Sequence, residues 1–209
     1  MSYANDTLDT FSARLASKAS TPGGGAAAGL AGALGAALAA MVANLTAGKE
    51  KFATVEGQMQ EVIAHADRLR ADLLALMDRD TEAFDQVMAC YRMPRESDAD
   101  KATRKQALQT ALDAAAEAAL AICRACAAVI PLCRTTAEHG NSMLVSDAGC
   151  AVAFAEAGLQ AALITVKINA DSLADRHRAD ALWQEGQGLA ITAAQERQNV
   201  LEIVYRRLG

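Results

Sequence analysis

The sequence predicts an all-α fold, an up-and-down-like bundle of about six helices, two of them long, and three observations carry that reading. Hydrophobic residues make up 52% of the 209-residue chain while aromatics are only 4%. Ala, the best helix former, dominates the apolar set, so the core has to come from close-packed helices rather than large rings. Only Pro22, Pro94 and Pro131 interrupt the chain, and no β-branched run alternates with polar residues as a strand would.

The elements follow in order. Leu8, Phe11 and Leu15 set a first helix from about Asp6 to Ala19. The run Ser20-Thr21-Pro22-Gly23-Gly24-Gly25 breaks it. A helix of small residues comes next and ends near Gly48, a C-terminal cap, with Lys49 and Lys51 just beyond. Its stretch from Gly23 to Leu45 is uncharged and long enough to cross a bilayer. It is poor in Leu and Val, however, and lacks anchors at both ends, so tight helix packing is the expectation and no membrane contact is assigned. Gly25, Gly29, Gly32, Ala36 and Ala39 form one smooth face for that packing.

Val55 to Met93 reads as a long helix with Leu69, Leu73, Leu76, Met77, Phe84 and Val87 on its apolar stripe, stopped by Pro94. Ser97 with Asp100 three residues on marks the next start, and the apolar line from Leu108 to Cys133 makes this the second long helix, with a kink expected at Pro131. After His139-Gly140-Asn141, Ser146 is read as the cap of a helix reaching Asn169, apolar around nearly its whole circumference and so central. A last helix covers roughly Arg178 to Leu208. One domain, residues 1–209, accommodates all of it.

The formal net charge of −5 argues against a nucleic-acid partner, which needs a clustered basic surface. The first residues carry no signal-peptide pattern, and five cysteines is an odd number, so free thiols in the cytoplasm are expected and no disulfide is assigned. Cys123, Cys126 and Cys133 do not make a metal site. On one helix the last two are about 10 Å apart, too far for ligands that sit ~2.3 Å from an ion.

Two aspartates stand out. Asp80 lies on the apolar stripe of its helix, four after Leu76 and four before Phe84, where a carboxylate is desolvated and its pKa raised, as a proton carrier needs. Asp147 follows the expected cap Ser146 at a helix N-terminus, where the dipole favours the ionised form and a role as fixed negative charge. An ion pair for the first and a plain helix start for the second are the structural alternatives. Gly23, Gly24 and Gly25 precede a helix and offer free N–H groups to an anion or amide, or simply make a tight turn. Lys49 and Lys51 suit a carboxylate-bearing tail or merely complement the helix dipole. Glu156, Gln160 and Lys167 form a polar line along an otherwise apolar helix.

Four stretches, Thr21 to Phe52 (TPGGGAAAGLAGALGAALAAMVANLTAGKEKF), Asp78 to Met88 (DRDTEAFDQVM), His139 to Gly149 (HGNSMLVSDAG) and Val166 to Asn169 (VKIN), together resemble the formiminotetrahydrofolate cyclodeaminase and methenyltetrahydrofolate cyclohydrolase family. Phe52 and Thr165 stand where relatives often have Tyr and Asn, and Ala119 where a Pro is common. The resemblance implies an all-α homodimer acting on a tetrahydrofolate derivative, with no bound cofactor or metal. It implies hydrolysis of 5,10-methenyltetrahydrofolate to 10-formyltetrahydrofolate, or release of ammonia from the formimino derivative. It carries Asn44, Asn141, Lys167 and Asn169 into the substrate site, beside Ser146, Lys49, Lys51 and the glycine turn, with Asp80 and Asp147 as catalytic groups. A noncatalytic bundle that binds a folate-like ligand or acts as a scaffold is the reading of another class.

Overall fold

Six α-helices follow one another among the described residues: α1 (Leu8–Leu15), α2 (Gly24–Asn44), α3 (Glu56–Tyr91), α4 (Asp98–His139), α5 (Val145–Asp171) and α6 (Arg176–Leu208). The structure, a computed structural model, describes residues 2–209, and no strand occurs among the described residues. Short 3-10 turns at Tyr3–Asn5, Glu50–Val55 and Ser142–Leu144 join the helices.

The helix starts follow side-chain chemistry. Thr7 caps α1 by accepting from the Thr10 amide at 3.1 Å, and Asp175 caps α6 by accepting from Arg178. Ser97 and Asp100 close a reciprocal capping box on α4, each side chain accepting from the other's amide at 3.0 Å. Three boundaries differ from the sequence reading. Helix α1 is shorter than Asp6 to Ala19 at both ends: Thr7, not Asp6, caps its start, and it already closes at Ala16, whose amide donates to the Ser12 carbonyl. Helix α2 stops at Asn44, and Gly48, at φ +74°, belongs to the following turn. Ser146 is not a cap. Leu144 precedes α5 without a side-chain cap bond, and Ser146 sits exposed inside the first turn. The capping role has moved to Asn141, whose Oδ1 accepts from the Met143 amide at 3.2 Å and orders the 3-10 turn ahead of α5. Helix α4 continues through Pro131 as one element.

Helices α2 and α5 lie side by side in antiparallel fashion at the centre, flanked by α3 and α6, with α4 packed behind both. Small residues set this arrangement. A methyl group added to Gly158 would meet the Ala28 carbonyl oxygen at 2.8 Å and the Gly32 nitrogen at 2.9 Å. One added to Gly35 would meet the Ala151 oxygen at 2.8 Å and the Ala155 nitrogen at 2.9 Å. Backbone therefore touches backbone where α2 crosses α5. Gly158→Ala is expected to destabilise the fold by about 3 kcal/mol, because helix backbones cannot rotate aside as a side chain can. The urea midpoint reads this directly, and an unchanged midpoint would contradict the close crossing.

The predicted smooth face of α2 is turned toward α3 and α4: Gly29 sits against Leu73 and Met77, and Gly32 against Cys126 and Leu73. Cys123, Cys126 and Cys133 are buried core residues whose thiols are pushed up to about 12 by desolvation, and all five cysteines are free. Three helical stretches, Gly24–Asn44, Asp98–His139 and Ser142–Asp171, are long and apolar enough to cross a membrane by length and hydropathy. Here they bury at least half of those apolar windows within the bundle.

An apolar surface on the central helix pair is left partly uncovered. On α2 it runs through Leu30, Leu34, Leu38 and Met41, and on α5 through Phe154, Ala157, Ala161, Ile164 and Ile168. Leu34 and Phe154 are each 42% exposed, Ile164 72% and Ile168 67%.

Candidate active site

The glycine turn meets α3 in its C-terminal half. Because α2 runs antiparallel to α3, its first turn comes level with Asp80, and a methyl group on Gly25 would fall directly on the Asp80 carboxylate. Beyond this contact the helices leave a cleft of about 410 Å³. Ser20, Thr21 and Gly23 to Gly25 form one wall, and Asp80, Thr81, Phe84, Val87, Met88 and Tyr91 of α3 form another. Leu112 and Ala115 of α4 make the floor, while Thr165, Ile168 and Asn169 of α5, with Ser172 just after it, close the far side. A hollow of about 200 Å³ between α3 and α4, beside His65 and His139, is smaller and holds no comparable carboxylate environment.

Asp80 is half-buried and has neither an ion pair nor a hydrogen bond among the described residues. Desolvation alone raises its pKa from the ordinary 3.8 to about 6. The alternative of an Arg or Lys partner at the edge of the stripe is not realised. A carboxyl with that pKa exchanges protons readily near neutrality, and as an anion it offers unspent charge to a cation.

The structure brings together Asp80, Gly23, Gly24, Gly25 and Asn169, and separates the remaining expected residues from them. Asp147, Ser146, Asn141 and Asn44 cluster at the other end of the central pair. The Asn141 amide donates to Thr46 Oγ1 at 2.9 Å, which pins this turn beyond the C-terminus of α2. As α2 is 21 residues long, this end lies about 30 Å from Asp80. Asp80 and Asp147 therefore do not share a cleft within one chain. The side chains of Asn44 and Asn141 are occupied locally, Asn44 Nδ2 donating to the Ala40 oxygen at 2.9 Å. Lys49 and Lys51 are exposed in the turn after α2, with Lys51 5.4 Å over the Phe52 ring. Lys167 points away from the cleft into a 2.7 Å pair with Asp171 and lies 5.1 Å over Trp183. The polar line on α5 is thus split: Gln160 donates to Glu156 at 3.0 Å, and Lys167 turns elsewhere.

Phe84 corrects a further expectation. Its stripe position suggests core, yet it is 39% exposed and lines the cleft, as does Tyr91 at 50%. Phe84, Met88 and Tyr91 follow Asp80 at i+4, i+8 and i+11, so the face of α3 that carries the carboxylate also carries the apolar wall next to it. That shared face was the available signal for these residues.

Comparison with known proteins agrees with this architecture. The family model described as formiminotransferase-cyclodeaminase matches residues 7–187. A methenyltetrahydrofolate cyclohydrolase from Methylorubrum extorquens is 44% identical over 205 residues, covering 98% of this chain and 99% of that protein. The formimidoyltransferase-cyclodeaminase of Sus scrofa is 31% identical over 185 residues, which are 85% of this chain but 34% of that longer protein. The crystal structure of a formiminotetrahydrofolate cyclodeaminase from Thermotoga maritima superposes with a TM-score of 0.88 at 28% identity, covering 98% of both chains. With a family match along most of its length and an all-helical fold shared end to end with a solved member, this chain belongs to the formiminotransferase-cyclodeaminase family.

Proposed function

We propose that the protein hydrolyses 5,10-methenyltetrahydrofolate to 10-formyltetrahydrofolate. The observation that carries this is the unpaired, desolvated Asp80 carboxylate in the wall of a largely apolar cleft, the environment a flat cationic substrate would seek. The 44% identical Methylorubrum extorquens cyclohydrolase supports the same reaction over the formimino one. The chemistry needs only the folate and water, with no further cofactor or metal.

At neutral pH most Asp80 is ionised. It accepts a proton from the water whose oxygen bonds to the carbon bridging N5 and N10, giving a tetrahedral carbon. The carbon–N5 bond then breaks, N5 takes the proton from Asp80, the hydroxyl on the carbon gives its own proton to the freed carboxylate and from there to solvent, and the formyl group remains on N10. The amides of the glycine turn supply donors for the ring amide or a carboxylate. If the protein acted on the formimino derivative, Asp80 would instead protonate departing ammonia. Incubating pure protein with 5,10-methenyltetrahydrofolate is expected to remove the methenyl absorbance at a rate proportional to enzyme. No loss above the buffer rate, with ammonia released from the formimino substrate, would reassign the reaction.

The uncovered α2 and α5 surface supports a homodimer. The two helices cross near their midpoints, at Gly35 and Gly158, so a twofold axis there that runs across the helices turns the Asp80 end of one protomer onto the Asp147 end of the other. In that pairing the partner supplies Asp147, Asn141 and Ser146 to the cleft, and Lys49 and Lys51 to the substrate's tail. Free thiols and an acidic, nucleic-acid-averse surface suit the cytoplasm and a soluble enzyme without membrane contact.

A further inference from the structure

The α5 wall of the cleft has polar groups that proton transfer does not use. Within the helices of this protein, Thr81, Thr110, Thr135, Thr136 and Thr192 each donate their hydroxyl to a carbonyl three or four residues back, at 2.9 to 3.2 Å. Thr165 does not. Its hydroxyl has no partner among the described residues, and neither does the side chain of Asn169 one turn further on. Thr10 and Thr103 also lack such a bond, but Thr10 pairs with the Thr7 hydroxyl at 2.8 Å and Thr103 sits exposed near the start of α4, whereas Thr165 and Asn169 are half-buried and line the cleft.

Helix contacts fix the level of this pair. Gly25 is level with Asp80, while Gly158 is level with Ala28 and Gly32, so α3 and α5 run parallel on either side of α2. Counting from these contacts, Thr165 stands between the levels of Asp80 and Phe84, about half a turn beyond Asp80, and Asn169 between those of Phe84 and Met88. The cleft at that level thus has an aromatic face on one side and two unspent polar groups on the other. Such a slot accepts a flat heterocycle, its plane on Phe84 and its hydrogen-bonding edge toward α5.

We propose that Thr165 is a specificity-determining residue, its hydroxyl reading the polar edge of the substrate's bicyclic ring while the ring lies on Phe84. A hydroxyl can donate once and accept twice, so releasing the usual carbonyl bond leaves both capacities for the ligand. Once the ring has displaced water, a ligand without the matching edge leaves the hydroxyl unpaired, and discrimination follows from that. The inference rests on the folate reading of the same cleft and adds to it the residue that orients the ring away from the reacting carbon.

The experiment compares the parent protein with Thr165→Val, which keeps shape and loses the hydroxyl, and Thr165→Ser, which keeps the hydroxyl. Thr165→Val is expected to raise KM for 5,10-methenyltetrahydrofolate about tenfold, with kcat changed less than about twofold and the melting temperature unchanged. Its dissociation constant for 5-formyltetrahydrofolate, measured by calorimetry, is expected to rise by the same factor. Thr165→Ser is expected to restore parental values. Parental KM in Thr165→Val, or a loss confined to kcat, would overturn the assignment while leaving the folate reading in place. A parent protein that neither binds the reduced folate nor consumes the methenyl substrate would overturn both.

Discussion

Asp80→Asn is expected to lower turnover by about 10²–10⁴-fold and at the same time to raise the melting temperature by a few degrees at pH 7.5. The two effects share one cause. The Asp80 carboxyl has its pKa raised to about 6 by desolvation, so the fold favours its protonated form. A carboxyl with a folded pKa above its unfolded one places no burden on stability below about pH 4. Its destabilising contribution appears as pH rises from there through 6 and is complete above. At pH 7.5 the native state holds an ionised group in poor solvent, at a cost on the order of 1–3 kcal/mol that Asn removes. The stability advantage of Asn should therefore vanish at pH 4. The parental kcat/KM should rise with pH through about 6 as the base ionises, and the variant's residual activity should lose that titration. A variant that is more stable but fully active would make Asp80 a buried carboxylate with no part in the reaction. One that is inactive but no more stable would mean that Asp80 has a partner in the folded protein.

Helix boundaries were legible wherever local chemistry decides them. The Ser97 and Asp100 box, the Gly-rich break at Ser20 to Gly25 and the stop at Pro94 act within a few residues of themselves. Ser146 misled because a serine before an apolar run has the composition of a cap, while the actual capping is done upstream by Asn141 on a 3-10 turn that periodicity does not register. Phe84 misled for another reason. A stripe says which face turns inward and not whether a neighbour covers it, and at this level the helices part to make the cleft. The desolvation of Asp80 was legible because its place on the apolar stripe of one helix turns it toward a packing neighbour, here the first turn of α2. The separation of Asp80 from Asp147 was not, since sequence order holds no information on which end of α2 each reaches. Thr165 likewise became visible only when its hydroxyl could be compared with those of the other helical threonines.

Mixing two inactive variants is expected to restore activity if the proposed dimer builds its site from both chains. Asp147 lies on the same exposed stripe of α5 as Phe154, Ala157, Ala161 and Ile168, at the end away from the cleft. Placed over the cleft by a partner, it adds fixed negative charge for a cationic substrate, and Asp147→Asn is expected to reduce kcat/KM about 10²-fold. Asp80→Asn disables the same site from the other chain. In a hybrid dimer of the two variants, one site carries both substitutions and the other carries neither. After reassortment in mild denaturant half of the dimers are hybrids, so activity is expected to return to about a quarter of the parental value. The gain requires contact through the α2 and α5 surface. Adding Ala157→Arg to both variants sets a charge at the centre of that surface, and is expected to give monomers in light scattering and to abolish the restoration. If each chain carried a complete site, mixing would yield only the sum of the two residual activities. Asp147, Asn141 and the lysines after α2 would then be structural features of the far end of the bundle.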